Sequence, residues 1–502
     1  MDFIGLMKNE NDSRKTLTEN GAVAYATTGK ELLDFNFKLS GFRTIDIDNI
    51  KREFGKVFFE DPLTSVKYLF WVGDIREGAG ERKAFRSGLL WLAENKPKIM
   101  KRLIPLVGEY NRFDSLLPLL DTKIRETVSS YLQYQIEEDV ANMSIDLPIS
   151  LAGKWAPSNN TSSAKTRHYA NILIEDFGWS PKKYRKVLAS LRKYLDVVEV
   201  KMSANEWNKI NYETVPSKAN LIYADAFLRN DTERRREYLA SLEKGDAKIN
   251  AGVLQPHEIV SKYMYGILWE SVRDYDETLE QLWSNLPNET ITNTLVVRDG
   301  SASMSSKISG NTSCLDVATA LTVYMAERNS GEWKNKFLTF SHDPRIIDIS
   351  HCETLHDKLE YIYEYNECSN TDIHKTMMII LETAVNNHLS QDEMPETIVI
   401  CSDLQFDGNM FNLDRTLFEE IIEEFKINGY NMPKLCFWNI NDRGSCSVPL
   451  KQNDYGLVLC SGFSVQILQM MMSCKLDPYE VLIETINSER YKIIEETISS
   501  II

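Results

Sequence analysis

The chain has 502 residues, enough for two or more domains each with its own core. Hydrophobic residues at 43% and aromatic residues at 10% exclude a disordered chain, and no apolar run reaches the roughly 18 residues needed to span a bilayer. The formal net charge of −16 disfavours nucleic acid as a partner for the chain taken whole.

That charge is unevenly placed. Through residue 290 the balance is −1 and the remainder carries −15, whereas residues 151–220 hold 12 basic against 6 acidic residues. Such a segregated basic stretch reopens nucleic-acid binding for that part alone. The stretch Met1–Lys8 lacks a basic region followed by an apolar core, so export is not expected. All eight cysteines lie from Cys314 onward, with no Cys-x-x-Cys and no Cys/His zinc spacing. Cys401, Cys436 and Cys460 sit in apolar runs, where reduced thiols behave as small hydrophobes, and a cytoplasmic setting is expected.

In chain order, residues 14–290 read as helical. Phe85, Leu89 and Leu92 recur at helical spacing, as do Tyr184, Leu188 and Leu191. The second of these helices starts at Ser180 as N-cap, with Pro181 in its first turn. Helix-sized segments with short polar joints and no strict period predict irregular stacked helix pairs, an α helical-repeat domain of HEAT-like kind. Within it, Asp74, Arg76, Glu77, Glu81 and Arg82 form a charged block between apolar helices, read chiefly as an ion-pair network fixing helix junctions.

A cation cluster follows. Lys182, Lys183, Arg185 and Lys186, with Arg192 and Lys193, fall on the helix that starts near Ser180. Lys154, Lys165 and Arg167 lie upstream; Lys201, Lys209 and Lys218 lie downstream. If they converge they make a phosphate-binding surface, with Trp155, Trp179, Trp207 or Tyr212 available to stack bases. The competing reading is a solvated helix face with the aromatics as core. Arg234-Arg235-Arg236 is bracketed by Glu233 and Glu237, which weakens it as a phosphate site.

After about residue 290 strands and helices alternate, predicting a parallel α/β sheet over 291–475. Strand-like runs are Leu295–Val297, Phe337–Phe340, Thr397–Cys401, Leu435–Ile440 and Leu457–Cys460. The first ends in Asp299-Gly300-Ser301-Ala302-Ser303, a carboxylate and two hydroxyls on one tight loop. Ser369-Asn370-Thr371-Asp372 precedes an amphipathic helix, and Ser402-Asp403 ends the third strand. Mg²⁺ takes hard oxygen ligands and keeps several waters, so hydroxyls with carboxylates near the water shell suit it. Arg298 is expected at the sheet edge or against an acid, and Asp407 is a rival or helper to Asp403. Residues 476–502 are predicted to be a C-terminal helix packing back on the body, through Val481, Leu482, Ile486, Ile493, Ile494 and Ile498.

The three-part pattern resembles the metal-ion-dependent adhesion site of von Willebrand factor A domains, a Rossmann-like α/β fold. Carried over, it makes Asp299, Ser301, Ser303, Thr371 and Asp403 the ligand set, for Mg²⁺ or another divalent cation. The run Phe70–Arg82 resembles the "RDIRxGxGER" block of a poorly characterised family that joins a helical-repeat half to such an A domain. Leu151–Ser158 and the run from Trp207 to Pro216 resemble further blocks of it. That family in turn resembles the Ro ribonucleoproteins, built of a TROVE helical ring plus an A domain, and the resemblance implies binding of small noncoding or misfolded RNA.

Catalytic signatures are thin. Ser301 is not in a Gly-x-Ser-x-Gly elbow, and neither a Walker A loop nor His-Glu-x-x-His occurs. His342-Asp343 and Asp372 with His374 are read as rim residues of the metal face. The expectation is a non-enzymatic monomer that binds RNA through its helical half and a divalent ion with an acidic ligand through the α/β half. The alternative is a protein scaffold that captures an acidic partner at the metal site without RNA. No membrane partner is expected.

Overall fold

The computed structural model describes residues 15–17, 23–25, 28–265, 271–288, 290–341, 343–365, 372–403, 417–441, 457–461 and 478–502. The N-terminal half is helical and the C-terminal part is an α/β sheet region. The chain divides into two compact units, Met1–Ile45 with Ala251–Thr485, and Asp46–Asn250 with Ile486–Ile502.

The first unit is built on a six-stranded sheet. Its strands are β1 (Thr294–Asp299), β2 (Lys336–Phe340), β3 (Ile346–Asp348), β4 (Thr397–Ser402), β5 (Lys434–Asn439) and β6 (Leu457–Ser461), in spatial order β6-β5-β4-β1-β2-β3. All neighbours are parallel except β2 and β3, which pair antiparallel. Both faces of β1 are covered, so it reads as a continuous run rather than an alternation. Leu295, Val297, Ile398, Ile400, Leu435 and Phe437 meet Ile373, Met377, Leu381 and Phe425 on one face. Phe37, from the helix Glu31–Phe37, joins the same core, and its carbonyl accepts from Asn439 Nδ2 at 3.1 Å.

By compactness the units divide at 250/251. The helices Pro256–Tyr263 and Glu277–Ser284 look like their predecessors in sequence, but polar contacts tie them to the sheet layer. Glu280 accepts from the Leu355 and His356 backbone N–H groups at 2.8 and 3.0 Å and from Tyr263 Oη at 2.7 Å. Trp283 Nε1 donates to Glu327 at 2.9 Å.

The second unit stacks helices in sequence: Ile47–Glu60, Pro62–Gly73, Arg82–Asn95, Pro97–Tyr110, Arg125–Ser144, Ala164–Asp176, Pro181–Tyr194, Ser217–Asn230 and Thr232–Glu243. The segment Phe113–Asp121 is a 3₁₀ helix, and Ala152–Trp155 is a single helical turn. The charged block caps the turn after Gly73. Asp74 is fully buried and accepts from Arg490 Nη2 (2.9 Å), Arg490 Nε, Tyr491 Oη (3.0 Å) and its own neighbour's N–H, that of Arg76 (3.0 Å). Arg490 and Tyr491 belong to the helix Glu489–Ile498, which packs on Pro62–Gly73 and Pro97–Tyr110. Lys67 adds bonds to Asn487 (2.6 Å) and Glu495 (2.9 Å). The glycines of the block have steric reasons: a Cβ on Gly78 would sit 2.0 Å from the Trp71 carbonyl oxygen, and Gly80 has φ +68°.

Candidate functional site

The loop after β1 stands where the chain's order reverses. From β1 the sheet grows through β2 on one side and β4 on the other, which is the position where open α/β sheets bind ligands. Asp299 and Asp403, at or just past the ends of the adjacent strands β1 and β4, are both buried. Asp299 Oδ1 accepts from the Ser301 N–H at 2.9 Å, and its Oδ2 accepts from Ser402 Oγ. Ser301 Oγ and Ser303 Oγ are 2.9 Å apart. Burial first, and then the charge of Asp403, push the Asp299 carboxyl well above the usual carboxylate range. Two buried acids flanked by two paired hydroxyls form an oxygen donor set that a divalent cation would relieve of like-charge repulsion. Among the described residues no group of three or more His, Cys, Asp or Glu is placed to hold a metal.

Thr371, His342 and Asp407 lie outside the described residues. Asp372 caps the helix Ile373–Asn386 by accepting from Lys375 N at 2.9 Å, and Asp343 pairs with Arg345 at 3.0 Å. Arg298 is not at a sheet edge. It is buried on the central strand, with Nε donating to Thr319 Oγ1 at 2.9 Å, and burial lowers its guanidinium to about 10 against the opposing pull of Asp299. Ser402 is a functional neighbour that the motif did not single out; its place directly before Asp403 was the available signal.

The cation cluster is brought together only in part. On Pro181–Tyr194, the residues Lys182, Lys183, Arg185 and Lys186 are exposed. Lys182, Arg185 and Lys186 form no ion pair among the described residues, and Lys183 Nζ lies 4.2 Å over the Trp179 ring. Lys165 and Lys218 are exposed, and Arg167 donates to the carbonyls of Thr161 and Ser162 at 2.6 and 2.7 Å. Lys209 is held by Glu206 and Lys201 by Asp196, both at 2.7 Å. Arg192 is a clamp, donating to Gly153 O, Ala156 O and Ser158 Oγ at 2.7–3.1 Å. Of the stacking candidates, Trp179 and Tyr212 are core, and the Trp207 indole donates to Asn205 at 2.8 Å. Trp155 is half-buried beneath Arg112, whose guanidinium carbon is 3.5 Å from the ring centroid, with Lys154 Nζ at 5.3 Å.

One cation group escaped the sequence reading. Arg82 and Arg86 lie one turn apart on the helix Arg82–Asn95, and Arg86 Nη2 is 2.9 Å from Asp114 Oδ1. Arg112 already holds that carboxylate through both Nε (3.1 Å) and Nη2. The spacing Arg82-x-x-x-Arg86 was the visible signal.

Two domain families match the chain. Residues 293–497 match a domain of unknown function (DUF7788), and residues 18–107 and 160–295 match another (DUF2828). Among curated sequences, the chain is similar to uncharacterized protein L728 of Acanthamoeba polyphaga mimivirus, 29% identical over 535 residues and covering 95% of this chain and 90% of that protein. Among solved structures, it is similar to the Ro (RSR) protein of Deinococcus radiodurans at a TM-score of 0.41 and 14% identity, covering 81% of this chain and 88% of that one.

Proposed function

We propose that the protein is a non-enzymatic, cytoplasmic, monomeric binding protein with two sites. In the α/β unit, read as a von Willebrand A-like domain, Asp299, Ser301, Ser303, Thr371 and Asp403 hold Mg²⁺ or another divalent cation, which takes an acidic group of a partner. In the helical unit, read as a TROVE-like HEAT repeat, Lys182, Lys183, Arg185 and Lys186 contact RNA phosphates, with Lys154, Lys165, Arg167, Lys209 and Lys218 around them. The observation that carries the reading is the pair of buried carboxylates beside paired hydroxyls at the sheet's switch point. No helix among the described residues is long and apolar enough to cross a membrane.

RNA recovered by crosslinking from cells that make the protein, compared with a Lys182/Lys183/Arg185/Lys186 charge-reversal variant, tests the RNA half. Enrichment by the wild type alone supports it; the same background in both leaves the scaffold reading. Four phosphate contacts to a single strand give a log–log salt slope of about −3.

A further inference from the structure

The strongest unexplained electrostatic feature lies in the helical unit, where the first turns of Arg82–Asn95 pack against the start of the 3₁₀ helix Phe113–Asp121. Arg86 and Arg112 both pair with one carboxylate, Asp114, and Arg82 stands one helical turn before Arg86. Arg112 alone donates to both oxygens of that acid. Arg86 therefore adds a second charge, and its Nε donates to Ser115 Oγ at 3.2 Å. Its Nη2 is sealed from solvent without a hydrogen-bond acceptor among the described residues, although it stands at 2.9 Å from Asp114.

Arg82, one turn before Arg86 on the same helix face, has neither a hydrogen bond nor an ion pair among the described residues and is exposed. Like charges at this spacing oppose helix stability. Although the residue is exposed, desolvation by the surrounding protein and then the charges of Arg112 and Arg86 lower the Arg82 guanidinium below its ordinary value. Lys154 stands at the margin, over Trp155. Asp121, whose charge also acts on Tyr169 beside Arg86, is engaged by His168 at 2.8 Å. Asp114 balances only one of the two guanidinium groups that pair with it, so the group carries surplus positive charge.

We propose that Arg82, Arg86 and Arg112 form an anion site for a phosphate group, with Arg82 as the ligand-facing member. Planar guanidinium forks match phosphate oxygens and keep their charge under partial burial, which suits them to this task better than lysines. The site's residues come from other elements than the exposed lysines of Pro181–Tyr194, and the proposal does not depend on RNA binding there. A nucleic-acid strand end and a small phosphorylated compound share this chemistry.

Calorimetric titration of the full chain, in buffer free of phosphate, tests the proposal with four probes. These are inorganic phosphate, a nucleoside 5′-monophosphate, and a short single-stranded oligoribonucleotide with either a 5′-phosphate or a 5′-hydroxyl. The expected result is binding of the phosphorylated probes, weakened at least tenfold by Arg82→Gln, with the ligand-free melting temperature unchanged or raised. Lys182→Glu with Lys186→Glu leaves phosphate affinity as in the wild type. A 5′-phosphate preference on the oligonucleotide identifies a strand end; equal affinity for the mononucleotide identifies a small ligand. The proposal is overturned if no phosphorylated probe binds, if Arg82→Gln binds equally well, or if Arg82→Gln melts lower while phosphate affinity is untouched.

Discussion

Replacing Asp74 with alanine should release the C-terminal helix. Its carboxylate is fully buried and receives bonds from Arg490, Tyr491 and the Arg76 N–H, so nothing hydrates it in exchange. Removing one partner of a buried pair costs about 3–5 kcal/mol. Arg490 keeps 17% of its side chain exposed and can recover some water, which places the loss near the low end, about 3 kcal/mol. Glu489–Ile498 has ten residues, below the length at which an isolated helix persists in water, so the loss should appear first as local opening. Hydrogen exchange of peptides covering 489–498 should accelerate by roughly two orders of magnitude, since 1.4 kcal/mol is a factor of ten. Arg490→Ala in the Asp74→Ala background removes the stranded charge, and the two losses should be less than additive by roughly 0.5–3 kcal/mol. Exchange in Asp74→Ala within threefold of wild type, or strict additivity in the double variant, would refute the account.

Further outcomes follow from other contacts. Gly78→Ala should destabilise the helical unit by about 1–3 kcal/mol in urea titrations, because the new Cβ meets the Trp71 carbonyl oxygen and the Asp74 Cβ at 2.0 and 2.8 Å. Mg²⁺ should raise the melting temperature of the wild type, corresponding to about 2.7 kcal/mol at a hundredfold excess over Kd, and should leave Asp299→Asn unmoved. That variant should melt no lower than wild type without metal, since it relieves one of two mutually repelling buried acids. Arg125 holds the Asp176 carboxyl below its ordinary range, with Ser129 assisting. A depressed folded value means stability present above the unfolded pKa of about 3.9 and lost as pH falls through the folded one. The gap between wild type and Arg125→Ala should therefore be full at pH 7 and shrink below pH 4 in acid titrations; a gap independent of pH would sink this assignment.

How much of this was legible in the chain depends on how local each cause is. The strands and the loop acids could be read because a parallel strand covered on both faces is a short apolar run, and ligand loops sit at its carboxyl end. Ser180 as N-cap was likewise local, and its Oγ accepts from Lys183 N at 3.1 Å. The join between the two halves is harder to read, because helical periodicity marks an apolar face without saying which layer it meets. Glu280 decides that for Glu277–Ser284 through backbone groups 75 and 76 residues away. The charged block was read as an ion-pair network, but its partner Arg490 is 416 residues distant and carries no local sign.

A tally of cations, taken alone, ignores what each one already holds. Residues 151–220 stood out by composition, yet Arg192 is spent on three backbone and hydroxyl acceptors and Lys209 on Glu206. Arg235, discounted for its glutamate neighbours, proves to be fully buried among Tyr212, Phe227 and Tyr238, where aromatic faces take the place of water. The group around Asp114 drew no notice because its cations come from separate segments with ordinary local charge. What distinguishes it is stoichiometry: one carboxylate shared by Arg112 and Arg86, with Arg82 one helical turn away. A functional cation is recognised by the partner it lacks, and that becomes visible only once the chain has folded and the structural pairs are taken.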